Sequence, residues 1–208
     1  MSEIPARSSF FRRAGRWAAE LILVFIGVYA AFWLNNYQQR AQDAKRRDQI
    51  LASLEQQLND GIASAKTEGA KEDRQVAEFR RKLDAGEMPP LHPFAFTTDY
   101  SATDIATLLQ SGGMVLLDVK TLTSLRELES VIRAGLSRMA RYEKLSDELI
   151  APNLDQDVSF FYDPATKRLW RRFEKYPDVL QSVADFFHDL ERTQVNLLTQ
   201  IQAERNRR

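Results

Sequence analysis

The hydrophobic positions of this chain follow two different patterns. Near the start, the run from Trp17 to Tyr37 is apolar at nearly every position, and the 14 residues from Leu21 to Leu34 include no charged or strongly polar side chain. Beyond the run, apolar residues recur at steps of three and four between charged ones, which is the spacing of amphipathic helices. The two patterns predict an all-α protein in which one helix differs in kind from the others.

The apolar run predicts a transmembrane helix over residues 17–37. A hydrocarbon core of about 30 Å is crossed by roughly 20 helical residues, and this run supplies that length. Aromatic residues lie near both ends, Trp17 on one side and Trp33 with Tyr37 on the other, as expected for rings at the level of the lipid headgroups. Two alternatives stay open: a helix buried in a protein core, and a cleaved signal peptide, for which GVYA before Ala31 gives a weak cleavage pattern.

One face of the run carries small and polar residues. Gly27 and Ala31 have the small-xxx-small spacing that lets two helix backbones approach closely. Steps of three or four place five positions on this face, and we name them the stripe: Glu20, Val24, Gly27, Ala31 and Asn35. The stripe predicts a helix–helix contact with a second copy of the chain or with a membrane-protein partner. Its chance occurrence, with Glu20 merely reaching the headgroups, is the alternative.

Basic residues flank both ends of the run, so they determine its orientation only weakly. Four arginines precede it, and Arg40, Lys45, Arg46 and Arg47 follow it, which leaves the positive-inside comparison tied. Because Glu3 is the only acidic residue of the preceding flank and cysteine is absent, we expect the N-terminus inside and the main domain outside.

The residues after the run predict a long amphipathic helix over 38–85. This segment contains no proline, and a bend is expected near Gly61 or Gly69. Its seam suits packing on its own domain or a short coiled coil. The seam residues are Leu51, Leu54, Leu58, Ile62, Ala65, Val76, Phe79 and Leu83.

The rest of the chain, residues 86–208, is expected to form a small helical bundle that begins with a proline-rich loop at 86–98. The predicted elements are a short helix over 101–112, a helix over 120–150, a small hairpin at 158–170 and a last helix that opens at Pro177. Their inner faces are marked by apolar residues at helical spacing, Leu122, Leu125, Leu128, Ile132, Leu136, Met139 and Leu145 in one helix and Val183, Phe186, Phe187, Leu190, Leu197 and Ile201 in the other. Residues 1–16 are expected to form a short basic tail.

The amino-acid composition limits the kinds of functional site and partner that the chain can have. The chain has 29 basic and 29 acidic residues, no cysteine and two histidines. A net charge of zero gives no general attraction to nucleic acid, and the lack of cysteine excludes disulfides and thiolate metal sites. We therefore predict no cofactor, no metal and no nucleic-acid partner.

Three local clusters are candidate functional sites. Asp155 and Asp157 lack the glycine and distal glutamate of a calcium loop, and Asp185 with His188 lacks the second Glu-x-x-His of a di-iron bundle. The basic and aromatic run from Lys167 to Lys175 is compatible with an anionic surface, but we expect a solvated helix face with Trp170 and Phe173 packed inward. An enzyme would need these carboxylates and His188 to converge in a cleft.

Two stretches resemble an uncharacterised family of small bacterial membrane proteins. One is ELILVFIGVYAAFWLNNY in the apolar run, where Tyr37 replaces the usual Trp, and the other is LLQSGGMVLLDVKTLTSLRELE, from Leu108 to Glu129, where Gly112 is doubled by Gly113. The resemblance covers about a fifth of the chain. It implies a bacterial inner-membrane location, one N-terminal transmembrane helix and a helical domain, but no activity.

Together these features predict a membrane-anchored, non-catalytic interaction or scaffold protein that associates through its transmembrane helix and the adjacent helix. The lipid bilayer and either a second copy or a membrane protein are the expected partners. The alternative is a membrane-tethered ligand-binding sensor, which would hold its ligand in an apolar pocket and signal through a partner.

Overall fold

The computed structural model describes residues 8–94 and 115–207, with side chains from Leu23 onward. Its helices are α1 (Ser8–Asp84), α2 (Val119–Leu149) and α3 (Tyr176–Arg205), with two short 3-10 helices at Ala151–Asn153 and Val158–Phe161. The predicted all-α class is confirmed for this part of the chain. The predicted helix over 101–112 lies outside the described residues.

The chain divides into two compact units, Met1–Arg47 and Asp48–Arg208. The first unit contains the beginning of α1, including the apolar run, and the second contains the end of α1 with α2 and α3. Within the described residues, no helix combines enough length with enough hydropathy to cross a membrane.

The second unit is built around the predicted seam of α1. Leu51, Leu54 and Leu58 are almost completely buried and belong to one core cluster with apolar residues of α2 and α3. Leucines spaced in this way present one stripe of the helix to its neighbours. The seam therefore packs within its own unit. This is one of the two arrangements predicted from the sequence, the other being a short coiled coil.

Glycines let α3 lie close against α1. The backbone of α1 stays helical through Gly61 and Gly69, where a bend was expected. A Cβ added at Gly61 would lie 2.5 Å from Nε2 of Gln194, and one at Gly69 would lie 3.4 Å from Cβ of Phe187. The two glycines thus provide space for side chains of α3.

A third glycine has the same role between α2 and α3. Gly135 is buried in α2, and a Cβ there would lie 1.9 Å from the ring of Phe186. Phe186 fills the space that a side chain at position 135 would occupy. The distance between α2 and α3 therefore depends on how this ring packs against Gly135.

The predicted inner faces of α2 and α3 are largely confirmed. Leu125, Leu128, Ile132 and Met139 of α2 are buried, as are the six predicted apolar residues of α3. Leu145 was predicted to face inward but is 44% exposed. The next residue, Ser146, is buried instead, and its hydroxyl oxygen accepts a hydrogen bond from the Phe94 backbone N–H at 2.7 Å.

A buried carboxylate joins the end of α3 to the start of α2. Glu204 is 2% exposed, and its carboxylate accepts hydrogen bonds from the Asp118 backbone N–H at 3.1 Å and the Thr121 hydroxyl at 2.5 Å. A negative charge at a helix N-terminus is stabilised by the unpaired N–H groups there. On α1, the Glu55 carboxylate pairs with Arg205 and accepts a bond from Gln202.

A second core cluster closes the other end of the unit. Tyr162 is fully buried and its hydroxyl donates to the Pro89 carbonyl at 2.5 Å, while the Tyr176 hydroxyl accepts from the His92 N–H and donates to the His92 carbonyl. These bonds satisfy backbone groups of the extended proline-rich segment that has no helical partners. The described part of that segment, up to residue 94, is held against the bundle by them.

The predicted hairpin at 158–170 is reduced to one isolated bridge between Tyr162 and Leu169. The first half of the segment forms the 3-10 helix Val158–Phe161, whose N-terminus is capped by the Asp157 carboxylate. This cap favours a helical turn over a strand there, because the carboxylate accepts the Ser159 N–H that a strand would use for pairing.

Replacing Gly135 with Ala is expected to lower the free energy of unfolding by about 1–3 kcal/mol, because the new methyl group overlaps the Phe186 ring. Chemical denaturation of the full chain measures the effect. Combining Gly135→Ala with Phe186→Leu should cost less than the sum of the two single changes. Strict additivity would contradict the proposed contact.

Replacing Glu204 with Ala is expected to destabilise the second unit by about 1–3 kcal/mol, because the Thr121 hydroxyl and the Asp118 N–H then lose a buried acceptor. Glu127→Ala, on the exposed face of α2, is the matched control and should change stability by less than about 0.5 kcal/mol. Equal losses for the two variants in thermal unfolding would show that the Glu204 bonds add nothing.

Candidate functional site

The most unusual surface of the described chain is the apolar run of α1. Its large side chains are 51–74% exposed, although residues of these types are normally buried. We call this region, Leu23–Tyr37, the apolar helix surface. Its exposed large residues are Leu23, Val24, Phe25, Ile26, Val28, Tyr29, Phe32, Trp33, Leu34 and Tyr37.

The apolar helix surface faces every direction around the helix axis. Leu23, Val24, Phe25 and Ile26 are consecutive, and each is 63–74% exposed. Consecutive residues of an α-helix are rotated by about 100° from one another, so these four side chains point to all sides. An amphipathic helix that docks on one partner shows a single apolar stripe instead.

Two aromatic rings lie together at the far end of this surface. Trp33 and Tyr37 are one turn apart, and their rings stack with centroids 6.0 Å apart and planes 18° apart. Each ring also carries a polar group, an indole N–H or a hydroxyl, which suits a boundary between apolar and aqueous surroundings.

The predicted stripe lies on this surface. Val24 is 63% exposed, Ala31 and Asn35 are exposed, and a Cβ added at Gly27 would meet no atom within 4 Å. The side chain of Glu20 lies outside the described residues. The small and polar face is thus accessible at four of its five positions, and its helix–helix contact stays a prediction.

The other predicted candidates have local structural partners. Asp157 caps a 3-10 helix, and its hydrogen bonds with Ser159 lower the pKa of the carboxyl group. Asp185 accepts a bond from the Gln181 amide at 3.0 Å. Among the described residues, no group of three or more His, Cys, Asp or Glu side chains could hold a metal ion.

The two histidines also have plain structural explanations. His188 on α3 bonds through Nε2 to the Asp73 carboxylate on α1 at 2.9 Å, and both side chains are about half exposed. His92 is exposed, and its backbone groups bond to Tyr176. The His188 imidazole bonds to the Asp73 carboxylate, and the bonds of His92 are made by its backbone. In these bonds neither ring is joined to a nucleophilic side chain.

The basic and aromatic run at 167–175 does not form the expected helix face. Its residues form the isolated bridge and turns, Phe173 is buried, and Trp170 is 42% exposed. The Arg172 guanidinium lies 4.9 Å from the ring centre of Phe160 and 4.6 Å from that of Phe173. One of the five basic groups is therefore engaged in cation–π packing.

Glu204, Tyr162 and Tyr176 hold the second unit together and were not identified from the sequence. Burial raises the pKa of the Tyr162 and Tyr176 hydroxyls, which keeps both protonated as donors. The partners of all three lie more than 70 residues away in the chain. No local spacing could have revealed such contacts.

Comparison of the chain with protein-family models, with curated proteins and with solved structures found no match. The resemblance to a bacterial membrane-protein family stays a prediction.

Replacing Gly27 with Ile is expected to weaken self-association or partner association of the apolar run by about tenfold, because the larger side chain keeps the two backbones apart. A dimerisation reporter in bacterial membranes measures the effect. Ala30→Ile adds a similar side chain about 100° from the middle of the stripe and is the matched control. Equal signals from both variants would remove the support for the stripe.

Proposed function

We propose that this chain is a single-pass membrane protein with a non-catalytic interaction or scaffold role. In this proposal the apolar run, residues 17–37, crosses the inner membrane of a bacterium. The unit Asp48–Arg208 then lies on the outer side of that membrane. The run associates with a second copy or with another membrane protein through the stripe.

The observation that carries the proposal is the exposure of large apolar side chains on all sides of one helix. Moving one such side chain from water to an apolar surrounding is worth about 1.5–3 kcal/mol when complete. Ten of them, each at least half exposed, represent on the order of 10 kcal/mol. A hydrocarbon surrounding supplies this energy on every side, whereas a partner groove would cover one side only.

The length of the run is consistent with this assignment. The described side chains cover 15 residues, Leu23–Tyr37. In the sequence, Trp17–Ile22 precede them with Glu20 as the only charged residue, which extends the run to the roughly 20 residues that a bilayer requires. The Trp33–Tyr37 stack is suited to the headgroup level.

The contacts of the seam indicate which part of α1 is available for association with a partner. Leu51, Leu54 and Leu58 are buried against α2 and α3 of the same unit. An intermolecular coiled coil through this seam would have to displace those contacts. We therefore place association in the transmembrane run, where the stripe is accessible, and assign the adjacent helix to the fold of its own unit.

The proposal predicts that charges in the middle of the run release the chain from membranes. The double variant Ile26→Arg/Val28→Arg is expected to move the full chain from the pellet to the supernatant in ultracentrifugation after an alkaline carbonate wash, because each arginine costs about 2.5–3.5 kcal/mol at the centre of a membrane helix. The measurement is the fraction of the chain in each compartment of a bacterial lysate.

The matched control is Ala63→Arg/Ser64→Arg, which places two arginines on the exposed face of the same helix within the second unit. This control should remain in the membrane pellet. Recovery of the unmodified chain in the supernatant, folded by circular dichroism, would overturn the proposal.

A further inference from the structure

At one end of the second unit, α1 enters, α2 begins and α3 ends. The Glu55–Arg205 ion pair joins α1 to the last turn of α3, and the bonds from Asp118 and Thr121 to Glu204 join α2 to the same turn. We call this end the entry face, since the chain enters the unit here from Arg47.

Two valines of the entry face are unusually exposed. Val115 is 90% exposed and Val119 is 78% exposed, the highest values for large apolar residues in the described part of the chain. Their neighbours behave differently, because Leu117 is buried and Leu116 packs against the core. The fold therefore directs two of the four apolar residues inward and leaves the two valines outward, four positions apart in the chain.

The surroundings of the valines are polar and partly basic. Lys120 follows Val119 and is exposed, and the Arg207 guanidinium lies 3.4 Å from the Asp118 carboxylate beside them. Because Arg207 is paired with Asp118, Lys120 supplies the positive charge beside the valines. A small apolar patch next to such a charge is typical of surfaces that lie at a lipid headgroup layer.

The segment that leads to the entry face is short and basic. Residues 38–47 contain Arg40, Lys45, Arg46 and Arg47 against Asp43, a net charge of four minus one, or +3. Eleven residue steps separate Tyr37 from Asp48, and they reach at most about 40 Å when fully extended. An anchor that ends at Tyr37 therefore keeps the entry face within that distance of the lipid surface, and basic side chains are attracted to an anionic surface nearby.

We propose that the entry face of the second unit docks on the anionic lipid surface, with Val115 and Val119 inserted among the headgroups. This inference rests on the proposed membrane anchoring, since the anchor supplies the proximity. It adds a second lipid contact, specific for anionic headgroups, that the anchor alone does not require.

The absence of cysteine makes the test direct. The full chain carrying Thr123→Cys, one turn beyond Val119 and exposed, is labelled with a fluorophore and reconstituted into vesicles that contain headgroup spin-labelled lipid as a quencher. One set of vesicles is phosphatidylcholine, and the other also contains phosphatidylglycerol. An Asp155→Cys label, beyond the far end of α2, reports on the opposite end of the unit.

We expect the Thr123→Cys label to be quenched in vesicles that contain phosphatidylglycerol and much less in phosphatidylcholine alone, while the Asp155→Cys label is quenched in neither. Adding Val115→Ser/Val119→Ser should lower the ratio of docked to undocked unit about tenfold. Leu145→Ser/Leu154→Ser, which removes exposed leucines from the other end, should leave this ratio unchanged.

Two results would overturn the inference, and they are distinguishable. If the chain floats with both kinds of vesicle but the Thr123→Cys label is unquenched in anionic vesicles, the entry face does not dock and the anchoring proposal stands. If the chain floats with neither kind of vesicle, the anchoring proposal fails and the docking inference fails with it.

Discussion

A helix surface that is apolar in every direction is stabilised by an apolar surrounding on every side, and the proposed role of the molecule depends on this requirement. From Leu23 to Ile26, four consecutive exposed side chains cover the full circumference of α1. A single partner helix or a groove would cover one stripe of such a surface. Hydrocarbon would cover all of it, which is why we propose lipid rather than a protein partner as the main surrounding.

The second unit does not need such an apolar surrounding, because the apolar faces of its long helices are buried against one another. Gly61 and Gly69 admit α3 against α1, and Gly135 admits the Phe186 ring against α2. At the entry face, buried Glu204 ties α3 to the start of α2 through polar bonds. The second unit thus has a core and polar contacts of its own, as the proposed anchored interaction domain would need.

Helical periodicity was sufficient to predict the main elements. The apolar spacing predicted α2 and α3 to within a few residues, because a packed helix must present one apolar face. It identified four of the eight buried positions of α2 and six of the eleven of α3. The spacing failed where a local bond competes, as at Asp157, whose cap favours a 3-10 turn over the expected strand. It could not reveal Glu204 or Tyr162, whose roles depend on partners brought together only by folding. The stripe could be identified from the sequence because its residues share one helix face, but their spacing does not indicate which partner it contacts.

The central claim, that lipid surrounds the apolar helix surface, is tested most directly by spin labels placed one at a time at positions 23–37 of the full chain in native membranes. Labels at successive positions are expected to collide readily with oxygen and poorly with a water-soluble nickel complex, on every side of the helix outside the stripe. Nickel accessibility that rises and falls with a period of 3.6 residues, or that is high throughout, would contradict it.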